Sequence, residues 1–180
     1  GYLTSGEFVP EVALEHPEVL ENLHKEFQHA GSNIVQAFTY NGHREKMRLI
    51  DKEHLLEPLN RAALRIARKC ADSPPKGLGV SLMAGNISNS NIWEDNNPKI
   101  QAQVKNMFAE MVKWAKEEKA ESIIRENFYY VEEAFVAQKE NKKAGLPSVI
   151  TISPMGENRM RDGYTILETC KKLEKLGADV

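Results

Sequence analysis

A helix end, a glycine and a short β-branched run follow one another three times along this chain. "HKEFQHAGSNIVQAF" passes through Gly31 into the apolar run Ile34–Phe38. "KENKKAGLPSVITIS" passes through Gly145 into Val149–Ile152, and "LEKLGADV", Leu173–Val180, repeats the junction through Gly177. Glycine supplies the left-handed residue that closes a helix, and a short β-branched run after it reads as a strand buried in a parallel sheet. A unit of this kind used repeatedly predicts an α/β protein. The third junction stops on its first strand residues, so the expectation is a piece of a larger α/β domain.

Apolar periodicity places the elements. Helices are predicted over Pro17–Ala30, with Val19, Leu20, Leu23 and Phe27 as its apolar stripe, and over about Lys52–Ala71, with Leu55, Leu59, Ala62, Ala63, Ile66 and Cys70 inward. Further helices are predicted over Pro98–Lys119, Val131–Ala144 and Tyr164–Leu176, with Met107, Met111, Trp114 and Ala115 of the first as core. Strands are predicted at Ile34–Phe38, Leu78–Met83, Ser122–Glu126 and Ser148–Ser153, and the Asn/Ser/Gly-rich stretch Ala84–Pro98 reads as a long, functional loop. No Gly-x-Gly-x-x-Gly follows a strand and no phosphate loop of the Gly-Lys-Ser/Thr type occurs, which removes the main support for a nucleotide fold. The leading architecture is a (β/α)8 TIM barrel; such barrels take ~250 residues, so about half of one is expected over residues 1–180, without the first strand and the C-terminal half.

Composition excludes some partners. A net charge of −2 and a pI near 6.3 provide no electrostatic footprint for nucleic acid or an anionic membrane. With 28% charged and 41% apolar residues the chain is too polar for a membrane span. The first residues, "GYLTSGEFVPE", have neither the basic start nor the apolar core of a signal peptide. Cys70 and Cys170 are too far apart in sequence for a zinc spacing or a disulfide framework and read as packing residues of a reduced, cytoplasmic protein.

Active-site residues of a barrel sit at the carboxyl ends of its strands and in the loops that follow. That rule selects Thr39, Tyr40 and Asn41, then Met83 and the Asn/Ser loop, then Glu126 and Asn127, then Ser153–Glu157. Glu126 stands out because it follows the apolar pair Ile123 and Ile124 within two residues: a carboxylate at the mouth of a buried strand binds a substrate ammonium or acts as a base. The competing structural reading is a local ion pair with Arg125. His43, between Gly42 and Arg44, reads as a solvated loop residue; His16, His24, His29 and His54 read as outward-facing or capping, and Lys113–Glu121 as a solvated helix face.

The segment Gly1–Tyr40 resembles the start of the betaine–homocysteine S-methyltransferase branch of the homocysteine S-methyltransferase family. The "EHPE" helix start at Glu15–Glu18, the "LHKEF" of Leu23–Phe27, the "AGSN" of Ala30–Asn33 and the "FTY" of Phe38–Tyr40 carry it, with "GVS" at Gly79–Ser81 and "VEEA" at Val131–Ala134 further on. The resemblance implies a zinc-dependent barrel that moves a methyl group from betaine, or a related onium donor, to homocysteine and yields methionine. It also implies a homo-oligomer, completed by barrel segments beyond these residues. Glu126 matches the glutamate that binds the homocysteine amino group. Phe8, Asn41 and Asn127 fall where the betaine enzymes carry aromatic residues, and Tyr40 adjoins the second; an amide offers no π-face to a trimethylammonium. The family's zinc is held by three cysteines that neither Cys70 nor Cys170 matches, so no metal ligand and no catalytic residue is assigned within this chain. A non-catalytic barrel that binds or scaffolds is the alternative expectation.

Overall fold

All three glycine junctions turn as expected: Gly31, Gly145 and Gly177 take φ of +104°, +72° and +85°. In the structure, a computed structural model that describes residues 10–180, each of them closes a helix. The strands are β1 (Ile34–Gln36), β2 (Leu82–Ser88), β3 (Ser122–Phe128) and β4 (Ser148–Ile152), in one sheet of order β1-β2-β3-β4 with every neighbouring pair parallel. The short α1 (Val12–Glu15) and α2 (Pro17–His29) precede β1; α3 (Arg44–Leu49), a 3-10 turn at Glu53–Leu55 and α4 (Leu56–Asp72) lead to β2. α5 (Pro98–Glu117), α6 (Val131–Ala144) and α7 (Ile166–Lys175) follow β2, β3 and β4 in turn. Sequential parallel strands joined by right-handed crossovers carry their helices on one face. α4 packs on β1 and β2, α5 on β2, and α6 on β3 and β4.

The core lies between that face and the helices. Met107, Phe108, Met111, Trp114 and Ala115 of α5 are buried there with Met83, Ile87, Ile123 and Phe128, as the reading of its methionines and tryptophan requires. At Gly85 the sheet and α5 approach so closely that a Cβ would lie 2.8 Å from both Ala115 Cβ and Ile123 Cδ1. Across the outer surface, Arg61 and Arg65 of α4 pair with Glu117 and Glu118 of α5 and tie these two helices together. Local signals end the helices cleanly: Asn97 caps α5 ahead of Pro98, and Thr165 with Glu168 forms a capping box on α7. After α7 the chain runs beside β4, where Ile150 N–H donates to Val180 O at 2.9 Å and Val180 N–H to Ser148 O at 3.2 Å. Among the described residues no helix is long and apolar enough to cross a membrane.

Five expectations are corrected. The second strand is Leu82–Ser88 rather than Leu78–Met83, so Ala84–Ser88 of the expected loop is strand, while Leu78 and Val80 are exposed. Asn and Ser are poor strand formers, but here the Asn86 amide N–H donates to Glu126 and the Ser88 hydroxyl to Tyr40 O, and that context overrides propensity, although Asn86 Oδ1 is buried without a partner among the described residues. The first strand stops at Gln36, although Ala37 N–H still donates to Ala84 O at 2.9 Å. On α2 the buried residues are Leu20, His24 and Gln28, while Leu23 and Phe27 are 40% and 60% exposed. His24 is therefore an inward residue, and Gln28 donates to Cys70 O and Ser81 Oγ, both at 3.0 Å, which makes a polar side of the helix its packed side. His43 is fully buried instead of solvated, because α3 begins at Arg44 and its cap is drawn under the loop.

Candidate functional site at the carboxyl end of the sheet

Side chains of β3 alternate between the two faces up to Arg125. Ile123 and Arg125 point to the helices, where the Arg125 guanidinium donates to Ala137 O at 3.2 Å and to Gln138 Oε1. Ile124 and Glu126 point to the opposite, open face. Arg125 pairs with Ile150, but Phe128 pairs with Ile152, so β3 holds one residue more than β4 across this step. The extra residue is a β-bulge, and Asn127 within it takes φ +62°, a left-handed conformation that asparagine tolerates better than most residues. The bulge resets the alternation. Phe128 turns back to the core, edge-on to Phe108 with ring centroids 5.9 Å apart, and Asn127 joins Glu126 on the open side.

Glu126 is held there by neutral groups. Gln36 Nε2 of β1 and Asn86 Nδ2 of β2 both donate to its Oε2, at 3.1 and 2.7 Å. Oε1 has no hydrogen bond among the described residues. The local ion pair with Arg125 does not exist, because adjacent strand residues face opposite ways. Two amides fix the position of the carboxylate without neutralising it, which leaves its charge available to an incoming cation.

Tyr40 and Asn127 complete the arrangement. Asn127 Nδ2 donates to the Tyr40 hydroxyl at 2.9 Å, Asn127 O accepts from Asn89 Nδ2 at 2.9 Å, and Ser153 Oγ lies 3.4 Å from Asn127 Oδ1. Thr39 Oγ1 donates to Asn86 O at 2.6 Å and Ser88 Oγ to Tyr40 O at 2.7 Å, locking the loop after β1 to β2. Four of the expected strand-end residues, Tyr40, Glu126, Asn127 and Ser153, are thus brought together. Asn41 lies in the same turn with a buried Oδ1 that has no hydrogen-bond partner among the described residues, and no hydrogen bond ties it to Glu126. Phe8 lies outside the described residues. A cavity of about 430 Å³ beside the cluster is lined by Gln36, Tyr40 and Asn86 and by Leu23, His24 and Phe27 of α2. A larger groove, about 670 Å³, runs between α5 and α6 and contains none of these residues.

The sequence reading missed Gln36, His43 and Lys46 as site residues, and took in Asn86 and Ser88 only as part of the Asn/Ser stretch Ala84–Pro98. Gln36 left a signal: it is the one polar residue in the run Ile34–Phe38. Asn86 and Ser88 were hidden by the loop assignment. Lys46 Nζ lies 3.3 Å from Tyr40 O, 3.1 Å from Ser88 Oγ and 3.9 Å from the centre of the Tyr40 ring. Burial pulls its pKa down to about 8, against the Glu126 charge, which favours the ammonium. Burial, aided by Lys46, also pulls His43 down to about 3, so its imidazole is neutral and its Nδ1 accepts from Lys46 N–H at 3.3 Å.

The sequence profile described as homocysteine S-methyltransferase matches residues 3–180. The chain belongs to this family. An S-methylmethionine–homocysteine S-methyltransferase of Pongo abelii is 33% identical over 180 residues, covering all of this chain and 46% of that protein. A betaine–homocysteine S-methyltransferase of Sus scrofa is 32% identical over 186 residues, covering all of this chain and 63% of that protein. The chain thus spans about half the length of the curated relatives it matches. The homocysteine methyltransferase of Escherichia coli in its metallated form superimposes with a TM-score of 0.77 at 15% identity, over 93% of this chain and 62% of that one, which shows a shared fold.

The zinc that the family resemblance implies finds no match in these residues. Among the described residues no three His, Cys, Asp or Glu are grouped to hold a metal ion. Cys70 is buried in α4 with its Sγ 3.8 Å from Glu21 O, and Cys170 is exposed on α7. A family zinc would need ligands from outside the described residues.

Proposed function

We propose that the protein carrying this chain is a homocysteine S-methyltransferase, and that residues 1–180 form part of its closed (β/α)8 barrel and supply the anchor for the homocysteine amino group. The single observation behind this reading is the Glu126 carboxylate at the end of β3, oriented by Gln36 and Asn86 and neutralised by neither. In a chain of this family, the ammonium of homocysteine is the complementary group. The homocysteine thiol gives up its proton to solvent; its sulfur then forms a bond to the donor methyl carbon while the donor's bond to that carbon breaks, and the electron pair of that bond leaves the donor neutral at its former onium centre.

The donor is an onium compound, betaine or S-methylmethionine, as the relatives' names indicate. Asn41 and Asn127 stand where aromatic rings would hold betaine, and Lys46 covers one face of the Tyr40 ring, which supports a donor other than betaine. The test is methionine formation by the full-length protein from homocysteine and each donor in turn. Turnover with either supports the function, with the faster donor naming the branch; no methionine from either overturns it. The alternative of a non-catalytic scaffold finds no support in the site or among the relatives.

A further inference from the structure

Lys46 is 3% exposed, and burying a cation is costly unless its surroundings are arranged for it. It does nothing for its own helix. It lies in the middle of the six-residue α3, and its side chain leaves the helix. Among the described residues its ammonium reaches away from α3 to the carboxyl end of the sheet, where it meets the Tyr40 carbonyl, the Ser88 hydroxyl and the Tyr40 ring.

Each of those features leads to Glu126. Ser88 is the register partner of Glu126 across β2 and β3. The Tyr40 hydroxyl is held by the amide of Asn127, the next residue of the bulge. We propose that Lys46 is a positioning residue of the amino-acid site, clamping the loop after β1 onto β2 so that Tyr40, Asn127 and Glu126 keep one geometry with or without substrate. This rests on the reading of Glu126 as the ammonium anchor. Among the described residues the charged and titratable groups around the clamp are Glu126 on β3, which favours the ammonium, and His43 at the start of α3, which is neutral. The clamp also directs the Tyr40 ring: with one face against an ammonium, the ring serves the site through its hydroxyl.

The test uses the full-length protein, titrated with homocysteine by calorimetry at pH 7, with thermal unfolding measured alongside. Lys46→Met is expected to weaken homocysteine binding about tenfold, and Lys46→Arg, which keeps the charge and the reach to Ser88, to stay within about threefold of wild type. Lys46→Met combined with Glu126→Gln is expected to lose less than the product of the two single losses, because the clamp acts through the carboxylate. A purely structural lysine predicts independent effects that multiply. Should Lys46→Met not fold, Ser88→Ala decides in its place: it removes a partner of the ammonium, keeps the charge, and is expected to weaken binding about threefold, again less than multiplicatively with Glu126→Gln. Wild-type affinity in Lys46→Met, or in Ser88→Ala where that variant stands in, overturns the proposal, and so do multiplying effects. A wild type that does not bind homocysteine, or whose affinity Glu126→Gln leaves unchanged, overturns the anchor reading and the clamp with it; a wild type that binds and responds to Glu126→Gln but not to Lys46→Met overturns the clamp alone.

Discussion

Glu126 and Glu133 show how differently two carboxylates of one sheet end are treated. Among the described residues Glu126 keeps Oε1 without a hydrogen bond, next to Gln36 and Asn86 of the cavity wall, and a charge-assisted contact there with a ligand ammonium contributes about 1.5–3 kcal/mol. Glu126→Gln is therefore expected to weaken homocysteine binding about tenfold to a hundredfold in calorimetric titration of the full-length protein and to leave its unfolding temperature unchanged. Glu133 in α6 is 1% exposed, with Oε1 accepting from Ser90 N–H at 2.7 Å. Burial pushes its carboxyl up to about 7, despite the Ser90 bonds and with help from the Asp95 charge. Its folded value thus lies above its unfolded one. The folded protein holds a proton that the unfolded chain has released between about 4.5 and 7, so this contribution is full below that window and lost as pH rises through it. Glu133→Gln, which cannot ionise, is expected to gain on wild type by a few kcal/mol between pH 5 and pH 8, since each tenfold change in proton affinity is worth about 1.4 kcal/mol. Chemical denaturation at the two pH values measures it; parallel curves for wild type and variant would show that Glu133 does not titrate in this window.

Among the elements, β2 and β3 decide most. β2 carries at its end two side chains that make it a poor strand by propensity, Asn86 and Ser88, and Glu126, Tyr40 and the β3 backbone accept from the Asn86 amide N–H and the Ser88 hydroxyl. Its other demand is steric. Gly85 lets α5 settle on the sheet, and an added methyl would lie 2.8 Å from Ala115 and Ile123. Gly85→Ala is expected to destabilise the protein by about 1–3 kcal/mol, since neither a core strand nor a packed α5 yields easily. Pairing it with Ala115→Gly, which removes one of the two opposing atoms, is expected to restore part of the loss in urea unfolding. No loss in the single variant would mean that α5 packs less tightly than the structure has it. The bulge in β3 is the other decision, since without it Asn127 would face α6 and Phe128 the open side.

Over the whole molecule, the helices cover one face of the sheet and leave the other bare in part. Ile34 and Leu82 are 43% and 45% exposed on that face, Val80 ahead of β2 is 80% exposed, and Phe27 of α2 lies open beside β1. An exposed strand edge next to apolar surface is a template for pairing. The 180-residue chain on its own is expected to self-associate, and sedimentation of the purified chain, with a monomer stable across a tenfold concentration range, is the result that would refute this. The order of elements that creates this shape was legible in the amino acids, because its causes are local: a 3.6-residue apolar period, glycines able to take positive φ at Gly31, Gly145 and Gly177, Pro98 and Pro17 at helix starts. The place of Glu126 at the end of a strand was legible for the same reason, as a carboxylate two residues after the apolar pair Ile123–Ile124. The carboxylate's surroundings were not. Asn86 lies 40 residues from Glu126 and Gln36 lies 90, and Tyr40 is 87 from Asn127. Nothing local to Asn86, Ser88 or His43 distinguishes a buried polar residue with a partner from a loop residue in water. Only strand register and a one-residue bulge bring those partners within hydrogen-bond distance, and both are set by the packing of the whole sheet against its helices.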